Sequence, residues 1–278
     1  MAINNYLGGI FLNYKTDSIS IDGFTMKYLK FGEGSETLVI LPGLSAQSVI
    51  PLAPYIAKKY ESLTKDFTVY LFDRRFNVPA EYSVSDMACD TVKVIEALKL
   101  QSISLFGASQ GGMIALTIAA EYPELVKKLV IVSTVMHIDT KRFSIINQWI
   151  TLAEKNDSKG LYLAISEKVY PKDYFEKYKQ AFCQIAKTMT KQDHERFIIL
   201  ANGAKSFDIS NSAEKIKCPV LYIGDEYDAV FTDKPEKEIE QLLGINDHFE
   251  IKMFSGFGHA LYDTLPDFCK IMLHFLIQ

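Results

Sequence analysis

The sequence predicts an α/β fold, a doubly wound and mostly parallel sheet interrupted by a block of helices. Two observations carry this prediction. Short apolar runs of strand length alternate with helix-length amphipathic patterns along most of the 278 residues, the order that βαβ units impose. One long interval, 137–205, breaks the alternation and holds only helix-like segments rich in Tyr, Phe, Ile and Lys.

In chain order, "SISI" (18–21) and "FTMKYLKF" (24–31) flank Asp22-Gly23 and read as an opening hairpin. "TLVIL" (37–41), "TVYLF" (68–72), "ISLF" (103–106), "LVIVS" (129–133), "PVLYIG" (219–224) and "FEIKMF" (249–254) follow as strands. They read as near-continuously apolar, as expected of parallel strands covered on both faces. Helical patterns lie near 50–64, 85–99, 110–121, 234–243 and 263–277. The interval 137–205 therefore reads as an insertion after the sixth core strand, with 1–136 and 206–278 forming the core.

Bulk properties narrow the function classes. The net charge of −4 argues against nucleic-acid binding. No run of about 18 apolar residues occurs, so no membrane span is expected. The start "MAINNYLGGIFLNYKTD" lacks a cationic segment followed by an apolar one, and no signal peptide is expected. Cys89, Cys183, Cys218 and Cys269 are scattered without a CxxC pair, and read as reduced, mostly buried thiols of a cytoplasmic protein. The expected partner is a small-molecule substrate. Oligomeric state stays open, a homodimer being one option.

"SISLFGASQGGMIAL" (102–116) carries the chemistry. Gly107-Ala108-Ser109-Gln110-Gly111 fits G-x-S-x-G where an apolar strand turns into a helix. Such a turn strains the serine backbone and lifts its hydroxyl above the sheet edge, and small neighbours let the chain pass close. A serine hydroxyl is a weak nucleophile at neutral pH. It needs an imidazole as base, and the imidazole needs a carboxylate to set its tautomer. Both follow in the order Ser, acid, His. "CPVLYIGDEYDAVF" (218–231) offers Asp228, with Asp225 as the rival carboxylate, and "FSGFGHALYDTLPDF" (254–268) places His259 in a Gly-rich loop. His137, His194, His248 and His274 read as structural or exposed, with His137 alone near enough to the sixth strand to line a pocket.

With these residues the chain resembles the α/β-hydrolase family over nearly its whole length. "LVILPGLSAQS" (38–48) looks like the strand and oxyanion loop, and 70–100 is similar to the segment carrying the family's Asp-x-Arg-Gly pattern. Aligning the Gly-x-x-Asp pattern puts Asp228 in the acid role. The resemblance implies oxyanion donors at the Leu44 and Gln110 backbone N–H groups, no metal or organic cofactor, and a helical cap at 137–205. Two departures stand out. Pro42-Gly43 replaces the usual His-Gly, and "FDRRFN" (72–77) lacks the glycine after arginine. Arg74 and Arg75 read as structural salt-bridging residues.

The expected function is a serine hydrolase that cleaves a small ester, thioester or lactone. Carbon–carbon bond hydrolysis on the same triad, and ligand binding without turnover, are the alternatives. A serine at the elbow argues against the dehalogenase and epoxide-hydrolase branches, and the missing His-Gly-Gly-Pro loop against proline iminopeptidases. The insertion holds 12 Lys+Arg against 8 Asp+Glu, a basic surplus read first as a solvated face. Phe143, Trp149, Tyr162 and Phe197 are candidates for its core or a pocket wall.

Overall fold

Eight strands join in one sheet in a computed structural model that describes residues 13–244 and 248–278. Most of the amino-terminal stretch read for a leader lies outside these residues. The strands are β1 (Tyr14–Ile21), β2 (Phe24–Phe31), β3 (Glu36–Leu41), β4 (Phe67–Phe72), β5 (Ile103–Ala108), β6 (Val126–Val132), β7 (Val220–Asp225) and β8 (Phe249–Phe254). Their order is β1-β2-β4-β3-β5-β6-β7-β8. The β1–β2 and β2–β4 pairs are antiparallel and every later pair is parallel. Asp22 and Gly23 turn the opening hairpin with φ of 48° and 80°, positive at both positions as a two-residue primed turn requires.

The helices are α1 (Ala53–Lys59), α2 (Val84–Ala97), α3 (Gln110–Glu121), α4 (Thr140–Glu154), α5 (Ser158–Val169), α6 (Lys172–Ala186), α7 (Lys191–Asn202), α8 (Pro235–Leu243), α9 (Leu261–Thr264) and α10 (Phe268–Ile277). Three sequence expectations change in detail. The helix near 50–64 is a short α1 between 3-10 turns. The closing helix splits into α9 and α10, because Leu265 precedes Pro266 and takes extended angles. β8 is not a covered apolar run. It is the sheet edge, half-buried throughout, with Glu250 and Lys252 alternating between apolar residues.

β5 and β7 are buried at every position, and two apolar clusters cover the two faces of the sheet. Of the thiols only Cys218 is buried, Cys183 and Cys269 are half-buried, and Cys89 is exposed. All four are free. The burial expected for Cys89 fails because it lies on the outward face of α2. No helix among the described residues is long and apolar enough to cross a membrane.

Between β6 and β7 the chain forms α4 to α7 and no strand. Side chains of Asp139, Asp157 and Thr190 cap three of these helices, each taking up a backbone N–H the helix leaves unpaired. The insertion leaves and returns through a short stem. Ile138 N donates to Phe207 O at 2.8 Å and Ile209 N to Met136 O at 2.9 Å. Arg142, which is buried, locks the stem to its surroundings through Asp233 (3.0 Å), Glu238 (2.8 Å) and the His137 carbonyl (2.8 Å). His137 itself pairs with Glu238, so it belongs to this stem cluster.

α3 lies against β3 with no room to spare. A Cβ on Gly111 would stand 2.1 Å from Leu41 O and 2.5 Å from Pro42 O, and neither backbone atom can move alone. Gly111→Ala should therefore cost more than the ~1–3 kcal/mol of ordinary overpacking. Thermal denaturation checks this, and a melting temperature equal to wild type would refute it.

Candidate active site

β5 ends at Ala108 and α3 begins at Gln110, so Ser109 alone turns the chain. Its φ of 52° and ψ of −121° cost a residue with a side chain on the order of 1–3 kcal/mol. Neighbouring groups hold it there. Ser109 N donates to Val132 O at 2.8 Å, while Ser109 O accepts from Gly112 N and from Thr134 Oγ1 at 2.9 Å. Small residues are needed on all sides. A Cβ on Gly107 would stand 2.3 Å from Gly111 O, and one on Gly112 would stand 2.7 Å from the Thr134 side chain.

The sheet brings His259 and Asp228 together at the same carboxyl edge. His259 Nδ1 lies 2.7 Å from Asp228 Oδ2, with both residues buried. The other oxygen, Asp228 Oδ1, accepts from Val230 N at 2.7 Å and Phe231 N at 3.0 Å. A carboxylate so held aims one oxygen at the ring and keeps its Nδ1 protonated, which leaves Nε2 as the free acceptor. Phe231 packs edge-on to the imidazole at 5.4 Å.

Asp225 does something else. Its Oδ1 accepts from Tyr227 N at 2.9 Å and its Oδ2 from Phe257 N at 2.8 Å. It ties the loop after β7 to the loop that carries His259. That second loop is pinned from the insertion as well, by Ala260 N donating to Val169 O at 2.8 Å. Gly258 (φ 73°) passes so close to Val169 and Pro171 that a Cβ would lie 3.0–3.2 Å from them.

Ser109 stands at the end of β5, two strands from β7 in the sheet order. Among the described residues no hydrogen bond joins its hydroxyl to His259 or to any other group. Catalytic contacts of this kind often tighten only around substrate. The Leu44 and Gln110 N–H groups, expected as oxyanion donors, likewise have no protein acceptor among the described residues. Gly43 lines the same space, its missing Cβ lying 3.3 Å from Ser109 Cβ.

The two arginines of the "FDRRFN" segment part company. Arg75 pairs with Asp90 at 3.0 Å and lies over the Phe24 ring, the salt-bridging role expected. Arg74 has no carboxylate partner for its guanidinium among the described residues. Its Nη2 donates to Pro42 O at 2.7 Å, and desolvation lowers its pKa to about 10. Among the aromatics, Trp149 and Phe197 are core, while Tyr162 donates to Gln47 Oε1 at 2.8 Å. Burial raises the Tyr162 phenol to about 12. Sequence reasoning missed Arg196 on α7 and the Gln110 side chain, whose partners lie 90 or more residues away.

A family model described as the alpha/beta hydrolase fold matches residues 36–264. The human serine hydrolase BPHL is 32% identical over 122 residues, 41% of this chain. The match spans only 40% of that relative's length. The putative carbamate hydrolase RutD of Agrobacterium fabrum is 24% identical over 253 residues, covering 87% of this chain and 93% of the relative. Among solved structures, the deep-sea metagenome alpha/beta hydrolase MGS-M2 superposes with a TM-score of 0.83 at 21% identity. It covers 94% of this chain and 98% of its own. The enol-lactonase of Burkholderia xenovorans LB400 gives 0.80 at 19% identity, covering 94% of this chain and all of its own.

Asp225→Asn replaces one accepting oxygen with a donor and leaves a backbone N–H unpaired. It should lower stability by about 1–3 kcal/mol, read by denaturant unfolding. An unchanged midpoint would show that the two loops do not depend on this carboxylate.

Proposed function

The chain belongs to the α/β-hydrolase family, and from that premise we propose that it is a serine hydrolase cleaving small acyl substrates. Residues 137–205 act as a cap over a core formed by 1–136 and 206–278. The observation that carries the proposal is the buried 2.7 Å His259–Asp228 contact at the sheet edge where Ser109 is held in strained geometry.

In this reading Ser109 Oγ attacks the acyl carbon while His259 Nε2 removes its proton. The carbonyl oxygen gains the electron pair and is met by the Leu44 and Gln110 N–H groups. As the tetrahedral intermediate collapses, His259 returns the proton to the leaving group. Water, deprotonated by the same imidazole, then releases the acid and frees Ser109. Asp228 orients the ring and stabilises its cation throughout. No step calls for a metal or an organic cofactor. Four cysteines with no disulfide among the described residues support a cytoplasmic setting.

Esters, thioesters and lactones are the substrate class proposed. A carbamate is the second reading, supported by the name of the relatives that align over 87% of this chain. A carbamate presents the same kind of acyl carbon to the serine. A turnover screen across aryl esters, thioesters, lactones, carbamates and β-diketones separates these, the last testing carbon–carbon cleavage.

If the triad works as one unit, Ser109→Ala and His259→Ala should each abolish most turnover, with the double variant scarcely worse. Asp228→Asn should cost on the order of 10⁴ in kcat. Losses that multiply in the double variant would refute the unit. Wild type that resists a serine-directed fluorophosphonate would instead favour binding without turnover.

Rate against acyl chain length, below and above each ester's solubility limit, tests the cap. The insertion offers no long apolar helix for docking on lipid, so short esters should be cleaved with no jump when an interface forms. A jump would mark a lipase.

A further inference from the structure

We infer that α7 of the insertion is a positioning element for the oxyanion hole, holding both of its donor segments through buried and half-buried polar bonds. The inference rests on the reading of Leu44 and Gln110 as oxyanion donors and adds what sets their position.

The first bond belongs to Gln110 itself. Its side-chain Nε2 donates to Leu200 O at 2.7 Å, fully buried. Leu200 lies in the last turn of α7, where a helix leaves its carbonyls without intrahelical partners. The residue whose main-chain N–H would meet the oxyanion is thus tied by its side chain to the carboxyl end of α7.

The second connection runs through two arginines. Arg196 lies one turn before Leu200, on the same face. Its Nη2 donates to Asp73 Oδ1 and to Arg74 O, both at 3.2 Å. Asp73 Oδ1 also accepts from Arg74 N at 2.8 Å. Arg74 then reaches Pro42 O at 2.7 Å, the carbonyl of the peptide leading into Gly43 and Leu44. Pro42 has no N–H of its own to anchor the loop, and a guanidinium on its carbonyl does so from the other side. Further along the loop, Gln47 meets Thr188, Asp193 and Tyr162 of the insertion.

These contacts are too costly to be a mere seal. Among the described residues five buried side-chain polar atoms lack a partner, and three lie here: Arg74 Nε, Arg196 Nη1 and Gln110 Oε1. Asp73 meets only one guanidinium, that of Arg196, and the buried Arg74 guanidinium has no carboxylate at ion-pair distance among the described residues. An apolar contact would close the same surface without desolvating these groups. Directional bonds instead fix where the donors stand, which matters because a donor aids the transition state only at the right distance.

The test uses Gln110→Met, Arg196→Met and Arg196→Lys in the full chain, assayed with a short aryl ester and a trifluoromethyl ketone. The ketone adds to Ser109 as a tetrahedral oxyanion and so reports on the donors. Each Met variant should lose roughly 10- to 100-fold in kcat/KM, less than the ~10²–10³ of deleting a donor. Ketone affinity should fall in parallel while KM stays nearly constant. Arg196→Lys, which keeps a donor, should recover part of the loss. Ketone affinity unchanged in both Met variants would overturn the inference while a fluorophosphonate-labelled Ser109 left the hydrolase reading standing. A loss confined to KM for carboxylate-bearing esters would also overturn it, making the arginines a ground-state anion site. Wild type that fluorophosphonate leaves unlabelled would sink both. Should Gln110→Met unfold, the half-buried Arg196 pair decides alone.

Discussion

One backbone conformation governs this molecule. Ser109 is held at a positive φ, a state a serine leaves unless its surroundings forbid it. Val132 and Thr134 hold its peptide from β6 and the loop beyond. α3 must then start immediately and run close against β3, its own entry strand and Thr134, so that Gly111, Gly107 and Gly112 have no space for a methyl group. Those close approaches in turn need a rigid, covered sheet, which the continuous burial of β5 supplies. The apolar bulk of the protein is thus organised around one strained polar residue.

At the other end of the edge, two carboxylates three residues apart divide the work. Asp225 spends both oxygens on main-chain N–H groups and joins two loops. Asp228 spends one oxygen likewise and keeps the second for His259. The first makes the second accurate, since His259 lies two residues beyond the Phe257 amide that Asp225 holds.

Much of this was legible in the sequence, and its limits have a physical pattern. The inner parallel strands announce themselves, because a buried parallel strand must be apolar along its length. The two edge strands differ: β8 is polar at alternate positions and β1 carries Lys15, Asp17, Ser18 and Ser20, because an edge strand faces water. Ser109 and His259 show through local composition, as glycines beside a polar residue between strand and helix. Asp228 against Asp225 rests on spacing, and only tertiary partners separate their tasks. Arg74 and Arg75 look alike in sequence. Which one meets a carboxylate and which a carbonyl depends on Asp90 and Pro42, brought near by folding. Arg196 gives no local sign at all, since an arginine among the mixed charges of α7 reads as surface.

The narrow stem of the insertion has a consequence for how such a chain can diversify. Two backbone hydrogen bonds between 136–138 and 207–209 close it, so the helical block could be exchanged without altering the register of any strand. Exchange would be simple at the stem and demanding at the far end. On the proposed reading, a replacement block would have to present a helix end to Gln110 and a cation to Asp73 to keep the serine's surroundings in place. Lineages that trade such blocks to reach new substrates would then be expected to keep those two contacts while everything around them drifts.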